Sequence, residues 1–247
     1  MPGEDSFFDY SKVVDTPVFL VECSTPEQNK IFRNTIDTYH SYVKYTDSPT
    51  RNIRWLVYET KSGNQIGAIG LASATMAISC RDSFIGWDKE HRLKHLGMLA
   101  NNSRFALIQK NITLKNAASM TLKQLREVGS KRWKEKYNQP LIMIETFVQP
   151  TRDEEYGGQK TRNGSCYLAD NWIEIGYTRG NSIKKCPLLL WKKESGERGK
   201  LARENPKLAM KKYGNYNGNE YVVSKSPIKI IFIKPIVWNW KKILTSL

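Results

Sequence analysis

The most restrictive feature of this sequence is a helical repeat set between two strand-like runs. Ala118, Leu122, Leu125 and Val128 recur at i, i+4, i+7 and i+10, which puts them on one stripe of a helix. Arg104–Gln109 ahead of it and Leu141–Val148 behind it read as strands, the second an apolar run suited to burial on both faces of a sheet. Strand, helix and strand in that order predict a crossover, with Leu141–Val148 central in the sheet, parallel to Arg104–Gln109 and next to it. Gly129-Ser130 is expected to interrupt the helix, with Ser130 capping a further turn that carries Trp133 and Tyr137 and Pro140 stopping it.

The flanking segments supply the rest of an α+β domain. Thr25-Pro26-Glu27-Gln28 is a capping-box pattern with Pro at the first helical position, and Ile31, Phe32, Ile36 and Tyr39 follow on one face, so a helix runs to about Tyr42. Val18–Val21 suits a short strand, and Ile53–Tyr58 and Gln65–Leu71 flank the turn Lys61-Ser62-Gly63-Asn64 as a hairpin. Asp88–Ala100 is expected to be helical, Thr151–Asn163 a loop, Cys166–Asn171 a short helix and Trp172–Thr178 a strand, with Leu188–Trp191 pairing next and Ile228–Val237 closing the sheet. The expected organisation is an N-terminal segment 1–17, a domain over 18–190 and a basic extension over 191–247 that carries the closing strand.

Charge narrows the class of function. With 39 Lys and Arg against 24 Asp and Glu, the chain carries +15, a field that draws phosphate backbones by counterion release. The excess concentrates after Lys184, where Lys184, Lys185, Lys192, Lys193, Arg198, Lys200, Arg203, Lys207, Lys211 and Lys212 face only Glu194, Glu197 and Glu204. This run reads either as a nucleic-acid-binding arm or as a solvated surface. DNA is the expected partner, and no membrane is, because no amphipathic basic helix with a continuous apolar face stands out. Cys23, Cys80, Cys166 and Cys186 are widely spaced, and His40, His91 and His95 complete no zinc pattern, so reduced thiols and no metal are expected. Met1–Tyr10 lacks the basic and apolar regions of a signal peptide, and no apolar run is long enough to span a bilayer, so the expected location is cytoplasmic.

A family resemblance rests on separated blocks in order. Tyr39-His40, Ile85-Gly86-Trp87, Arg92-Leu93, Asn101-Asn102-Ser103-Arg104-Phe105, Asn116-Ala117-Ala118-Ser119, Glu145-Thr146-Phe147-Val148 and Gly164-Ser165-Cys166-Tyr167-Leu168-Ala169-Asp170-Asn171-Trp172 resemble the DruA family of Druantia anti-phage systems, over about residues 18 to 182. Members of that family sit in defence loci and also beside or fused to transposases, which implies work on DNA. The order of elements, with Tyr167 on a short helix before a strand, also resembles the GNAT acyltransferase fold and the phage DNA-modification protein Mom. The implied architecture is a GNAT-like mixed β-sheet flanked by helices, with a basic C-terminal extension.

Two departures bear on chemistry. GNAT proteins bind the CoA pyrophosphate at a Gly-rich turn opening the central helix, whereas this chain has Thr113-Leu114-Lys115-Asn116-Ala117-Ala118-Ser119, with no glycine. That argues against acyl-CoA and leaves the cofactor unassigned, with Arg104, Lys115, Asn116 and Ser119 as candidates to hold another anion. The resemblance also implies an acidic residue after Glu-Thr-Phe-Val, where this chain has Gln149.

The candidate catalytic residues are Glu145, Tyr167 and His40. Glu145 lies in an apolar run, where burial raises a carboxyl's pKa and suits it to act as a base; a salt bridge to Arg104 is its structural alternative. Tyr167 is a candidate acid or a core residue, and His40 a base or a helix cap. Asn101, Asn102, Ser103 and Arg104 either line a cleft or make a turn. Trp87, Trp133, Trp238 and Trp240 either stack on bases or anchor the core. Two functions follow: a GNAT-like transferase acting on a nucleobase or amine, or a catalytically silent DNA-binding subunit that recruits a helicase or transposase. His40, Arg104, Asn116, Glu145 and Tyr167 are expected to converge on one cleft.

Overall fold

A computed structural model describes residues 16–40, 45, 50–150, 163–178, 186–187, 192, 196–213, 221–222 and 228–246. The N-terminal segment to residue 15, most of the 151–163 loop, the segment 188–191 and the residues Tyr42, Lys184, Lys185 and Lys193 lie outside the described residues.

Strand β1 (Val18–Glu22) leads into α1 (Pro26–Tyr39), whose start is the expected capping box: Thr25 Oγ1 accepts from the Gln28 N–H, and the Gln28 side chain accepts from the Thr25 N–H. The hairpin forms from β2 (Asn52–Glu59) and β3 (Gln65–Ser73). After it come α2 (Ser79–Ile85) and α3 (Lys89–His95). The expected helix over Asp88–Ala100 therefore ends early. Leu96–Met98 tighten into a 3-10 turn, and Leu99 and Ala100 enter β4 (Leu99–Leu107), where sheet pairing overrides the helical pattern.

Helix α4 (Ala117–Tyr137) is continuous, so Gly129 does not break it. Gly129 instead lets the helix pack tightly on the sheet: a Cβ there would sit 3.2 Å from Leu71 Cδ1 and 3.7 Å from Trp55 Cη2. After α4 come β5 (Met143–Val148), the short α5 (Ser165–Ala169), β6 (Ile173–Tyr177), and, near the end of the chain, β9 (Ile230–Pro235) and α8 (Trp240–Leu244).

The seven-stranded sheet runs β1-β2-β3-β4-β5-β9-β6. It is mixed and GNAT-like. The β1–β4 run is an antiparallel meander, β4 and β5 are parallel across α4, and β9 inserts between β5 and β6 antiparallel to β5. β5 is central, as expected, but its parallel partners are Leu99–Asn101 rather than Arg104–Gln109. Beyond the pair Asn101–Glu145 the two strands share no register.

Strand alternation separates two apolar layers. Ile53, Trp55, Val57, Ile69, Leu71 and Ala100 pack with Leu122, Leu125 and Trp133 of α4 on one face. Leu56, Ala68 and Ala106 pack with Phe32 and Ile36 of α1 on the other. A third cluster joins Ile85, Trp87, Leu99, Met143, Ile233 and Leu244 beneath α2 and α8.

Residues 177–229 form a second unit, which contains β7 (Cys186–Pro187), α6 (Glu197–Glu204), α7 (Pro206–Tyr213) and β8 (Tyr221–Val222). β7 pairs antiparallel with β8. The basic run is thus partly helical, and the Lys212 ammonium donates to Glu197 Oε1 at 2.7 Å. No helix among the described residues is long and apolar enough to cross a membrane.

Gly164, ahead of α5, has φ +82°, and a Cβ there would lie 2.5 Å from the Phe232 ring. Gly164→Ala is expected to destabilise the protein by about 2–4 kcal/mol through backbone strain and overpacking. Urea denaturation monitored by tryptophan fluorescence checks this.

Candidate functional site

The cleft forms where β4 changes the face its side chains address. Register shifts between Gly70 and Leu71, so that Gly70 faces Arg104 while Leu71 faces Asn102, leaving Ser103 as the extra residue of a β-bulge. Without the bulge Arg104 would follow Asn102 onto the α4 face. With it, Asn101, Ser103 and Arg104 all line the same cleft on the α1 side, while Asn102 and Phe105 approach Tyr167 on the other. The four residues Asn101 to Arg104 therefore form part of a strand and do not make a turn.

The cleft has a volume of about 450 Å³, and its walls include Phe32, Tyr45, Asn52, Arg54, Thr75 and the β4 residues just named. Gly70 forms part of the floor, and a Cβ on it would meet Phe32 Cζ at 3.3 Å. Three guanidinium groups surround the Tyr45 ring: Arg54 at 5.4 Å, Arg33 at 5.7 Å and Arg104 at 5.9 Å from its centroid. Cation–π attraction gathers these cations at one end of the cleft. Arg54 Nη1 also donates to Asn29 Oδ1 at 2.8 Å, and Arg104 Nη1 donates to its neighbour's carbonyl, Ser103 O, at 2.7 Å. Two buried polar atoms of the lining residues, Asn101 Oδ1 and Arg104 Nε, have no hydrogen-bond partner. No carboxylate, imidazole or thiol lines the cleft among the described residues.

Glu145 is fully buried, and its ion partner is Arg81, not Arg104. Its Oε2 accepts from Arg81 Nη1 at 2.9 Å and its Oε1 from the Thr75 N–H at 2.8 Å. Arg81, equally buried, also donates to the carbonyls of Thr75 at 2.7 Å and Met76 at 3.3 Å. It pairs with Asp82 at 2.7 Å and lies 5.5 Å from the Trp87 ring centroid, and Arg92 closes the network on Asp82 at 2.8 Å. Burial pushes the Glu145 carboxyl up, and Arg81 and the Thr75 N–H oppose that push. With both oxygens engaged, Glu145 anchors the wall segment at Thr75 from beneath.

Tyr167 belongs to the opposite layer. Its hydroxyl donates to Asn102 Oδ1 at 2.9 Å, and its ring packs on Trp172 at 4.9 Å and Phe232 at 5.7 Å between centroids. Asn102 Nδ2 donates in turn to Gly70 O and Arg104 O, which pins the bulge from behind. Thr146 Oγ1 donates to Asn102 O at 3.0 Å and so bridges the place where β4 and β5 part.

The other candidates are dispersed. His40 is the half-buried C-cap of α1, its N–H bonded to Ile36 O, and is not among the lining residues. Lys115 and Asn116 are exposed at the start of α4, and Ser119 Oγ donates to Asn116 O at 3.2 Å. The expected five-residue cleft does not form: Arg104 lines the cleft, Glu145 lies under its wall, Asn116 and Tyr167 are on the α4 side, and His40 ends α1. Gln149 follows the end of β5, half-buried. Of the basic run, Lys192, Arg198, Lys200 and Arg203 are exposed in the second unit, where Arg203 Nη1 donates to Lys192 O. Trp133 and Trp87 are buried anchors and Trp240 stacks on Phe84, whereas Trp238 is 93% exposed. Burial pushes the Cys166 thiol up to about 11 and the Cys23 thiol up to about 12, which removes both as nucleophiles at neutral pH.

Acyl-CoA, the cofactor the GNAT-like fold implies, does not fit the residues present. The α4 turn adopts the left-handed conformation glycine would serve, but through Asn116 at φ 61°, whose Cβ and side chain stand at the helix start. The parting of β4 and β5 is bridged by Thr146 and Asn102.

The sheet order and the bulge-built cleft define a GNAT-like α+β protein with a cationic cleft on its α1 face. The chain belongs to the DruA family, whose model, described as Druantia protein DruA, matches residues 9–184. No curated protein matches it significantly. Similar solved structures include FeeM, an N-acyl amino acid synthase from uncultured soil microbes, at 13% identity and TM-score 0.39, covering 90% of this chain and 92% of that one. A GNAT family acetyltransferase from Elizabethkingia anophelis with acetyl-CoA bound has 9% identity and TM-score 0.39, with 89% and 98% covered. A Bacillus subtilis acetyltransferase in complex with CoA has 8% identity and TM-score 0.37, with 89% and 98% covered.

Glu145→Gln is expected to destabilise the fold by about 3–5 kcal/mol, because it breaks a fully buried ion pair and leaves Asp82 as the remaining carboxylate on Arg81. Tyr167→Phe, which leaves Asn102 Oδ1 without its donor, should cost about 1–3 kcal/mol. Denaturation curves of both variants check the order; a Glu145→Gln protein as stable as its parent would contradict the anchoring role.

Proposed function

We propose that this DruA-family chain is a DNA-directed protein of phage–host conflict or mobile elements that engages DNA through phosphate contacts. The observation that carries this reading is the cleft itself: arginines gathered at one end, Arg104 Nε and Asn101 Oδ1 unpaired, and no carboxylate, imidazole or thiol in the described lining. A cleft of that composition suits binding an anion more than moving a proton. The net charge of +15 supports the same reading. Chemistry then belongs to a partner, a helicase or transposase, that the chain brings to DNA.

Group transfer to a nucleobase or amine is the second reading, and the observation favouring it is the GNAT-like strand order with the left-handed turn at Asn116 ahead of α4. Mass spectrometry of DNA nucleosides from cells with and without the protein separates the two: a new modified nucleoside supports transfer.

For the first reading, fluorescence anisotropy with labelled DNA should show affinity falling steeply with salt, with a log–log slope of roughly −4 or steeper for several phosphate contacts. Absence of binding at low salt would refute it.

A further inference from the structure

We infer that the cleft on the α1 face is a single-nucleotide site, which seats one nucleotide of an unpaired DNA strand with its phosphate against Arg104 and Arg54 and its base edge against the Asn101 amide. The inference rests on the DNA-directed reading above and names what the cleft itself takes.

The β4 bulge is the first support. A bulge breaks ladder hydrogen bonds and re-aims side chains, and here it turns Arg104 out of the Tyr167 layer into the cleft, while Asn102 bonds Gly70 O and Arg104 O to hold that geometry. The result is a guanidinium and an amide on one wall, each with a buried atom that lacks a partner: Arg104 Nε, a donor, and Asn101 Oδ1, an acceptor. Buried polar groups are nearly always satisfied, so two orphans on one wall mark a ligand that supplies both complements. The ligand must therefore present an anionic oxygen to Arg104 and an N–H to Asn101.

A nucleotide does both. Its phosphate suits a guanidinium, and a base with an exocyclic amine donates to an Asn oxygen while accepting from the same amide. Tyr45 and the guanidinium groups around it preset the anion-binding end, which reduces the rotamer entropy lost on binding. Size agrees: about 450 Å³ lies within the range of small-ligand clefts, whereas an intact duplex could not enter.

The test uses the full chain and two variants, Asn101→Leu and Arg104→Met. Asn101→Leu removes an orphan acceptor and should leave the melting temperature unchanged or raised; Arg104→Met also removes the bond to Ser103 O and the Tyr45 contact, so its loss of binding counts for the ligand only beside the same loss in Asn101→Leu. A labelled single-stranded oligodeoxyadenosine is expected to bind, dAMP to compete for it better than dTMP, which lacks the exocyclic amine, and each variant to lose about tenfold or more in affinity. If the chain binds DNA but dAMP does not compete and both variants bind like the parent, the single-nucleotide site is overturned and the DNA-directed reading stands. If neither single-stranded nor duplex DNA binds at low salt, both fall.

Discussion

The buried ion pair between Arg81 and Glu145 is the interaction on which the rest of the main unit depends. Two side chains fully removed from water are tolerable only with every remaining site satisfied. Here the Thr75 N–H, the carbonyls of Thr75 and Met76, Asp82 and the Trp87 ring supply those partners. The network thereby ties the segment after β3, helix α2 and the central strand β5 together at one point. That point is the pair Asn101–Glu145, the last register at which β4 and β5 run together. The wall of the cleft at Thr75 is thus fixed by a charge pair within the sheet.

Behind the cleft, the Tyr167–Asn102–Thr146 cluster does the complementary work. Where β4 and β5 part, the Thr146 hydroxyl donates across the gap to Asn102 O. Asn102 meanwhile spends its amide on the two carbonyls flanking the bulge. The polar groups on the α4 side are saturated, whereas Asn101 and Arg104 on the α1 side are not. This asymmetry across one strand leaves the unpaired polar atoms on the α1 face.

The sequence revealed the frame better than the site. The capping box at Thr25, the hairpin, the crossover and the centrality of β5 all follow from local chemistry and periodicity, and of the family blocks the run Asn101–Phe105 supplies lining residues of the cleft. What it concealed depended on long-range pairing. Nothing near Arg104 announces a bulge, so its side chain could be placed on either face; Glu145 found its partner in Arg81, 64 positions earlier, instead of in Arg104. Gly129 looked like a helix break because a glycine's packing against Leu71 and Trp55 is not visible from its neighbours in the chain. Ile228–Val237 read as a closing strand, and β9 forms within it, but its slot between β5 and β6 is a property of the sheet.

Anion binding and group transfer place different physical demands on a cleft of this composition. Transfer needs a donor group held against an acceptor and a path for a proton, and in this chain the strand parting is bridged while the Glu145 carboxylate is bound on both oxygens. Anion binding needs only fixed charge, a shaped wall and unsatisfied hydrogen-bonding groups; Arg54 and Arg104 supply the charge, and Arg104 Nε and Asn101 Oδ1 are the unpaired atoms. The bulge at Ser103 and the register pair Asn101–Glu145 that carries the ion pair thus lie two residues apart along β4.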